Sequence, residues 1–236
     1  MPGLISNLRH GIQFALHSRL GLRKPQLLIN SIPKSGTHLA HQYLKGAGLH
    51  YLGYVRGEQS ERVPLIAGPR RNFALAHVYR GMLPDAGERF LLYRDPVDVA
   101  VSMLAYISAR PDHPRHALFR ARNFEENMAM ILRGGEGLES LADRYVNYRD
   151  WALRNGASGI AFEQMRQAPL AFVRRCADVD AAIDEAVLLR KGNRWNPTRR
   201  ARKLEAEDAR KAELRSWIQE KEERLWDAYQ ELQSLP

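Results

Sequence analysis

The chain has a single cysteine, Cys176, in 236 residues, which excludes an intramolecular disulfide and any multi-cysteine zinc or iron–sulfur centre. It has no apolar run near the roughly 18 residues that a bilayer span requires. Arg9, His10, His17 and Arg19 interrupt the N-terminal stretch before a secretory apolar region can form. Internal repeats and low-complexity linkers are missing as well. Acidic residues are absent up to Gly57, a span that holds seven Lys/Arg; an acid-free start of this kind is shared with organelle transit peptides, but no cleavage pattern follows it here. These absences lead us to expect a soluble, reduced, cytoplasmic protein. A hydrophobic content of 44% rules out a disordered tail and suits one α/β domain.

The net charge of +9 is unevenly distributed. A second acid-free block, Arg190 to Lys203, carries seven Lys/Arg in fourteen residues, whereas Leu204 to Pro236 has nine acids against five bases. Two separated basic segments can converge on one anion or coat a nucleic acid. We divide the chain into a basic leader (1–24), an α/β core (25–203) and a C-terminal amphipathic helix (204–236), all in one domain.

Apolar strands alternate with amphipathic helices. Leu27–Ser31, Phe73–Val78, Phe90–Tyr93 and Ile160–Phe162 read as strands, and Thr37–Ala47 as a helix stopped by Gly46 and Gly48. Asp95-Pro96 has the form of a helix start, with Asp at the N-cap and Pro at N1. Leu214, Ile218, Leu225, Tyr229 and Leu232 mark the C-terminal helix. The expected fold is α/β: a three-layer sandwich with a central parallel sheet and a P-loop-like strand–loop–helix. In such sheets ligands bind beyond the carboxyl ends of the strands.

Four features fall at those ends. Pro33-Lys34-Ser35-Gly36-Thr37 lies between strand and helix, where backbone amides, a mobile cation and hydroxyls can meet an anion. It differs from GxxxxGK[ST], because Lys34 precedes Gly36 and no earlier glycine wraps a triphosphate. Arg94 closes a strand, and Ser102 lies two turns into the next helix, so both can reach one phosphate. Arg190-Lys191-Gly192 offers two cations and a flexible amide, and His77 ends the FALAHV strand. Taken singly, each also has an ordinary structural explanation: a turn, an Arg94–Asp98 ion pair, a solvated charge run and a structural histidine.

Together these residues resemble the PAPS-dependent sulfotransferases of the cytosolic type. Ile32 to Thr37 is similar to that family's 5′-phosphosulfate loop, Arg94 to Ser102 to its 3′-phosphate motif, Arg190-Lys191-Gly192 to its C-terminal clamp, and Phe162-Glu163-Gln164-Met165 to a strand end whose aromatic residue lies against adenine. The resemblance implies transfer of a sulfuryl group from PAPS to an acceptor hydroxyl or amine, with PAP released and no metal required. It implies that Lys34 neutralises the bridging oxygen and His77 takes the acceptor's proton. Pro33, Lys34, Ser35, Gly36, Thr37 and His38 would hold the phosphosulfate, Phe162 the adenine, and Arg94, Ser102, Arg190, Lys191 and Gly192 the 3′-phosphate. His38 and Leu39 depart from the family's Thr-Trp and place a second imidazole near the chemistry, and the family's short dimer motif is not recognisable near Pro197–Lys203.

Tyr51–Arg71 and Ser108–Leu141 are the expected lid segments. Arg110, Arg115, Arg120 and Arg122 in the second suggest an anionic acceptor such as an acidic glycan or a lipid-linked sugar, within a wider class of small-molecule acceptors. No nucleic-acid partner is expected. The alternatives are an ATP/Mg-dependent small-molecule kinase using Asp95 as a metal ligand, a basic nucleic-acid-binding protein, and a relative of the family that binds PAP without catalysis.

Overall fold

Leu27–Ser31 forms β1, and all five of its residues are buried, as befits an apolar strand with neighbours on both edges. The computed structural model describes residues 25–56, 71–79, 86–177, 183, 185–186, 188–189 and 204–236. β1 pairs in parallel with β3 (Asn72–His77) on one side and with β4 (Glu88–Tyr93) on the other. β2 (His50–Arg56) extends the sheet beyond β3, and β5 (Ser158–Ala161) extends it beyond β4, giving the order β2-β3-β1-β4-β5 with every pairing parallel.

Alternation along the strands sends side chains to two cores. Leu27, Ile29, Phe73, Leu75, Phe90 and Leu92 pack with Ala40 and Leu44 of α1 (Thr37–Gly46), Met165 of α6 (Phe162–Gln167), and Phe172 and Cys176 of α7 (Pro169–Cys176). Burial pushes the Cys176 thiol well above its ordinary range, so this cysteine is an inert core residue. Leu28, Ala74, Leu91 and Tyr93 face the opposite layer. That layer is built by α2 (Pro96–Ser108), α3 (His116–Arg120), α4 (Phe124–Arg133), α5 (Leu141–Asn155), α8 (Leu204–Lys221) and α9 (Glu223–Gln233). The three-layer α/β architecture expected from the sequence is therefore present.

Four local expectations change. Residues 51–56, assigned to a lid, belong to the edge strand β2 (His50–Arg56); a register shift between Tyr51 and Gly53 breaks its alternation and hides it from a period-two reading. The other expected lid, residues 108–141, consists largely of helices that carry Phe119, Met128, Ile131 and Leu132 into the core. The capping box between Asn123 and Glu126 starts α4 there. Phe162 opens α6 instead of ending β5, because the pairing with β4 stops at Tyr93–Ala161. The C-terminal segment is two helices, α8 and α9, separated at Glu222. The remainder of the first lid (57–70) and the leader (1–24) lie outside the described residues.

The end of α9 crosses β5 at Gly159. A Cβ there would lie 2.9 Å from Leu235 Cβ and 3.1 Å from the Leu232 carbonyl oxygen, and the Gly159 amide donates to the Pro236 carbonyl at 2.9 Å. Gly159→Ala is expected to lower stability by about 1–3 kcal/mol, the usual range for overpacking. Urea denaturation reads this directly, and an unchanged midpoint would mean that α9 moves aside without cost.

Candidate functional site

The loop between β1 and α1 is held in a conformation that most residues avoid. Ser35 N–H donates to the Ile32 carbonyl at 3.1 Å, closing a turn in which Lys34 has φ 75°, and Gly36, just after the turn, has φ 90°. For Lys34 a left-handed backbone costs about 1–2 kcal/mol. At Gly36 glycine is required twice over, because a Cβ would also come within 2.3 Å of the Phe162 ring. α1 starts at Thr37 without a side-chain cap, so its N-terminal amides face the loop. Ser35 Oγ is fully buried and has no hydrogen-bond partner among the described residues. A buried orphan hydroxyl beside a cation and a helix N-terminus fits an oxygen of an anionic ligand.

His77 is brought to this loop by β3. Its Nδ1 is 2.5 Å from the Ser31 carbonyl oxygen and 2.9 Å from Ser31 Oγ, and its Nε2 faces Thr37 Oγ1 at 3.4 Å. A carbonyl can only accept, so Nδ1 carries a proton, which in the neutral ring leaves the lone pair on Nε2. Tyr54 meets the imidazole edge-on, with ring centroids 5.1 Å apart. Just beyond His77, the buried side chain of Asn30 donates to the Val78 carbonyl at 2.6 Å and accepts from Val78 N–H at 3.1 Å. His38, the other imidazole suggested by sequence, is exposed on α1, outside the Ser31–Thr37–His77 network.

Arg94 follows β4 and is fixed from several directions. Its carbonyl accepts from Tyr145 Oη at 2.5 Å, its Nη2 donates to Asp98 Oδ2 at 3.1 Å, and its guanidinium lies 4.4 Å from the Phe162 ring centroid. Its Nε is 3.5 Å from Glu163 Oε1 in an ion-pair contact without hydrogen-bond geometry, and is thus a second buried donor without a hydrogen-bond partner among the described residues. Burial raises the Glu163 carboxyl above its usual range, against the opposing pull of Arg94. Ser102 lies one turn beyond Asp98 on the same face of α2. Phe162 thus touches both the loop, through Gly36, and Arg94. Asp95 caps α2 by accepting from Val97 N–H, and its other oxygen pairs with Arg215 at 2.9 Å. Among the described residues, no three His, Cys, Asp or Glu side chains converge as metal ligands, and no helix is long and apolar enough to cross a membrane.

The Lys34 ammonium sits 3.1 Å from the Tyr106 ring centroid, and Arg110 donates to Tyr106 Oη at 2.9 Å. Burial, followed by the charge of Arg110, lowers the Lys34 pKa from 10.5 to about 8. Tyr106 was missed by sequence reading, since nothing in the order of residues shows that the end of α2 folds over the loop. The four arginines expected to form an acceptor patch are mostly occupied elsewhere. Arg115 donates to the Gly137 carbonyl, Arg122 pairs with Glu136 at 3.8 Å, and Arg110, the one beside Lys34, also pairs with Asp112. Arg190, Lys191 and Gly192 lie outside the described residues.

Because its folded-state pKa is lowered, the Lys34 ammonium opposes folding below about pH 8, and that penalty disappears as pH rises towards 10.5. Acylation of Lys34 should reach half its maximal rate near pH 8, and Arg110→Ala should move that midpoint upward. Peptide mapping across a pH series measures both, and a midpoint near 10.5 in the unmodified protein contradicts the burial argument.

No protein-family model matches the chain, and no curated protein matches it. Among solved structures the chain is similar to the crystal structure of mouse sulfotransferase SULT7A1 complexed with PAP, with a TM-score of 0.54 and 22% identity. The match covers 72% of this chain and 64% of that one, so it spans less than two thirds of the solved protein. At that identity the likeness establishes the fold.

Proposed function

We propose that the chain is a single-domain sulfotransferase that moves the sulfuryl group of PAPS to an acceptor hydroxyl or amine and releases PAP. The observation that carries this reading is the gathering of three groups at one sheet edge: an anion-ready loop with Lys34 and the orphan Ser35 hydroxyl, His77 with its lone pair on Nε2, and Arg94 with a buried donor lacking a hydrogen-bond partner among the described residues. The likeness in fold to a PAP-bound sulfotransferase supports it.

In this reading the loop amides, Ser35 and Thr37 hold the phosphosulfate, and Lys34 neutralises charge growing on the bridging oxygen as the nucleotide leaves. His77 Nε2 takes the acceptor's proton, while Ser31 keeps the Nδ1 proton in place and so sets the tautomer. Arg94 and Ser102, with Arg190, Lys191 and Gly192, grip the 3′-phosphate. Phe162 offers a ring to adenine on the face that Arg94 leaves uncovered. A sulfuryl group carries less negative charge than a phosphoryl group, so fixed cations can serve where kinases use Mg²⁺. The kinase alternative needs Asp95 as a metal ligand, yet both its oxygens are committed, one to the α2 cap and one to Arg215. The acceptor belongs to the small-molecule, glycan or lipid-linked class. Arg110 next to Lys34 is the part of the arginine-rich segment placed to meet a negative group on it.

Calorimetry with PAP and with adenosine 5′-phosphate tests the donor assignment. PAP should bind more tightly by about 2–4 kcal/mol, the scale of charge-assisted bonds to one phosphate, and Arg94→Ala should remove most of the difference. Equal affinity for the two nucleotides would sink the assignment. With labelled PAPS and an acceptor panel, His77→Ala and Lys34→Ala should each lower turnover by roughly 10²–10⁴ while leaving PAP binding largely intact for His77→Ala.

A further inference from the structure

Arg94 is one of two cations on the same carboxylate. Asp98 Oδ2 accepts from Arg94 at 3.1 Å, and Asp98 Oδ1 is 3.1 Å from Lys211 Nζ. Lys211 belongs to α8, which docks beside α2 by burying Leu214 and Ile218 in the core that also holds Val97 and Ala100. One turn beyond Lys211, Arg215 pairs with Asp95 at 2.9 Å, so the register of α8 along α2 is set at two points. Lys211 and Asp98 are 30% and 21% exposed, sheltered enough for their charges to be weakly screened.

The charge balance of this cluster leads to a role for Lys211. Arg94 and Lys211 face Asp98 and Glu163, two cations against two carboxylates. The adjoining Arg215–Asp95 pair balances itself, so without Lys211 a phosphate arriving at Arg94 would find two carboxylates matched, among the described residues, by Arg94 alone, and like charges at such distances repel. A lysine head on a flexible four-carbon stem can leave one anion and follow another nearby, whereas the Arg94 guanidinium is held against the Phe162 ring. We propose that Lys211 is a phosphate-binding residue of this site, one that helps select nucleotides bearing a 3′-phosphate. Asp98 holds its ammonium ready, and the 3′-phosphate draws it over to join Arg94 in the grip. This inference rests on the assignment of Arg94 to the 3′-phosphate, and it adds a residue from the C-terminal helices that belongs to none of the motifs recognised in the sequence.

Lys211→Met, Lys211→Arg and Lys211→Glu, each assayed by calorimetry with PAP and with adenosine 5′-phosphate, separate a phosphate contact from a structural one. Lys211→Met should weaken PAP about tenfold, or roughly 1.4 kcal/mol, while adenosine 5′-phosphate changes by less than about twofold. Lys211→Arg should keep the preference, and Lys211→Glu should abolish it. A preference for PAP retained in both Lys211→Met and Lys211→Glu overturns the proposal, whether binding is unchanged or both nucleotides weaken equally. Should Lys211→Met fail to fold, Lys211→Glu and Lys211→Arg carry the same comparison. If the unaltered protein binds both nucleotides equally, the Arg94 assignment itself has failed and this inference falls with it; if the unaltered protein discriminates but the variants do so as well, the fault lies with Lys211 alone.

Discussion

Parallel pairing brings the carboxyl ends of neighbouring strands to one edge, and here β1 sets that edge for both its neighbours. Its register aligns Asn30 with Ala76 on one side and Ser31 with Leu92 on the other. The loop after β1, His77 at the end of β3 and Arg94 just past β4 therefore emerge side by side. The edge is then secured by buried polar groups. Asn30 bonds both polar atoms of the Val78 backbone, continuing the sheet's pairing one step past β3. Ser31 Oγ meets Thr37 Oγ1 at 2.7 Å, tying the strand to the first residue of α1. A buried amide or hydroxyl left without a partner costs about 1–3 kcal/mol, so a satisfied network of this kind resists displacement of any one member. It fixes the His77 ring relative to the loop far better than a lone histidine at a strand end would be.

Much of this arrangement can be read locally. Leu27–Ser31 followed by Pro-Lys-Ser-Gly specifies a buried strand and a tight turn, and Asp95-Pro96 specifies a helix start. These signals need no knowledge of distant residues, and the elements they mark are where they were expected. β2 was obscured because Gly53 and a register shift interrupt its alternation. The segment carrying Phe119, Met128 and Ile131 was read through its arginines, although its apolar residues decide its place by packing against α2. Tyr106 over Lys34, Glu163 beside Arg94 and Lys211 on Asp98 were illegible for a different reason. Each contact joins elements far apart in the chain, and no local pattern encodes which helix turn will lie over which loop.

The charge distribution tells a similar story. Summed along the sequence, the bases suggest broad basic surfaces. In the fold many of them are matched: Arg133 with Glu222, Arg144 with Glu139, Arg149 with Asp150 and Glu231, and Arg224 with Asp143. Several of these pairs link α5 or α4 to α9 or to the turn that leads into it, and being exposed they contribute little each. Lys34 and Arg94 combine a place at the strand ends with shelter beside buried polar atoms that lack hydrogen-bond partners among the described residues, and counting charges cannot reveal that combination.

Lys34 rests against a partner weaker than the anion proposed for it, and Arg94 and Lys211 share one carboxylate between them. An ammonium over an aromatic ring gains about 0.5–2 kcal/mol, less than a desolvated ammonium gains from a phosphate or sulfate oxygen, where one charge-assisted bond contributes about 1.5–3 kcal/mol. Tyr106 can thus hold Lys34 in its strained left-handed backbone with the head group partly stripped of water, and still release it when an anion enters the loop. Asp98 divides its negative charge between Arg94 and Lys211, so it fully matches neither, and a carboxylate also repels an incoming phosphate. Burial sharpens this hierarchy: the desolvation that lowers the Lys34 pKa also means that little water need be displaced when the stronger partner arrives. Cations poised in this way lose less freedom on binding than cations extended into solvent, so more of each contact's energy remains to discriminate between ligands.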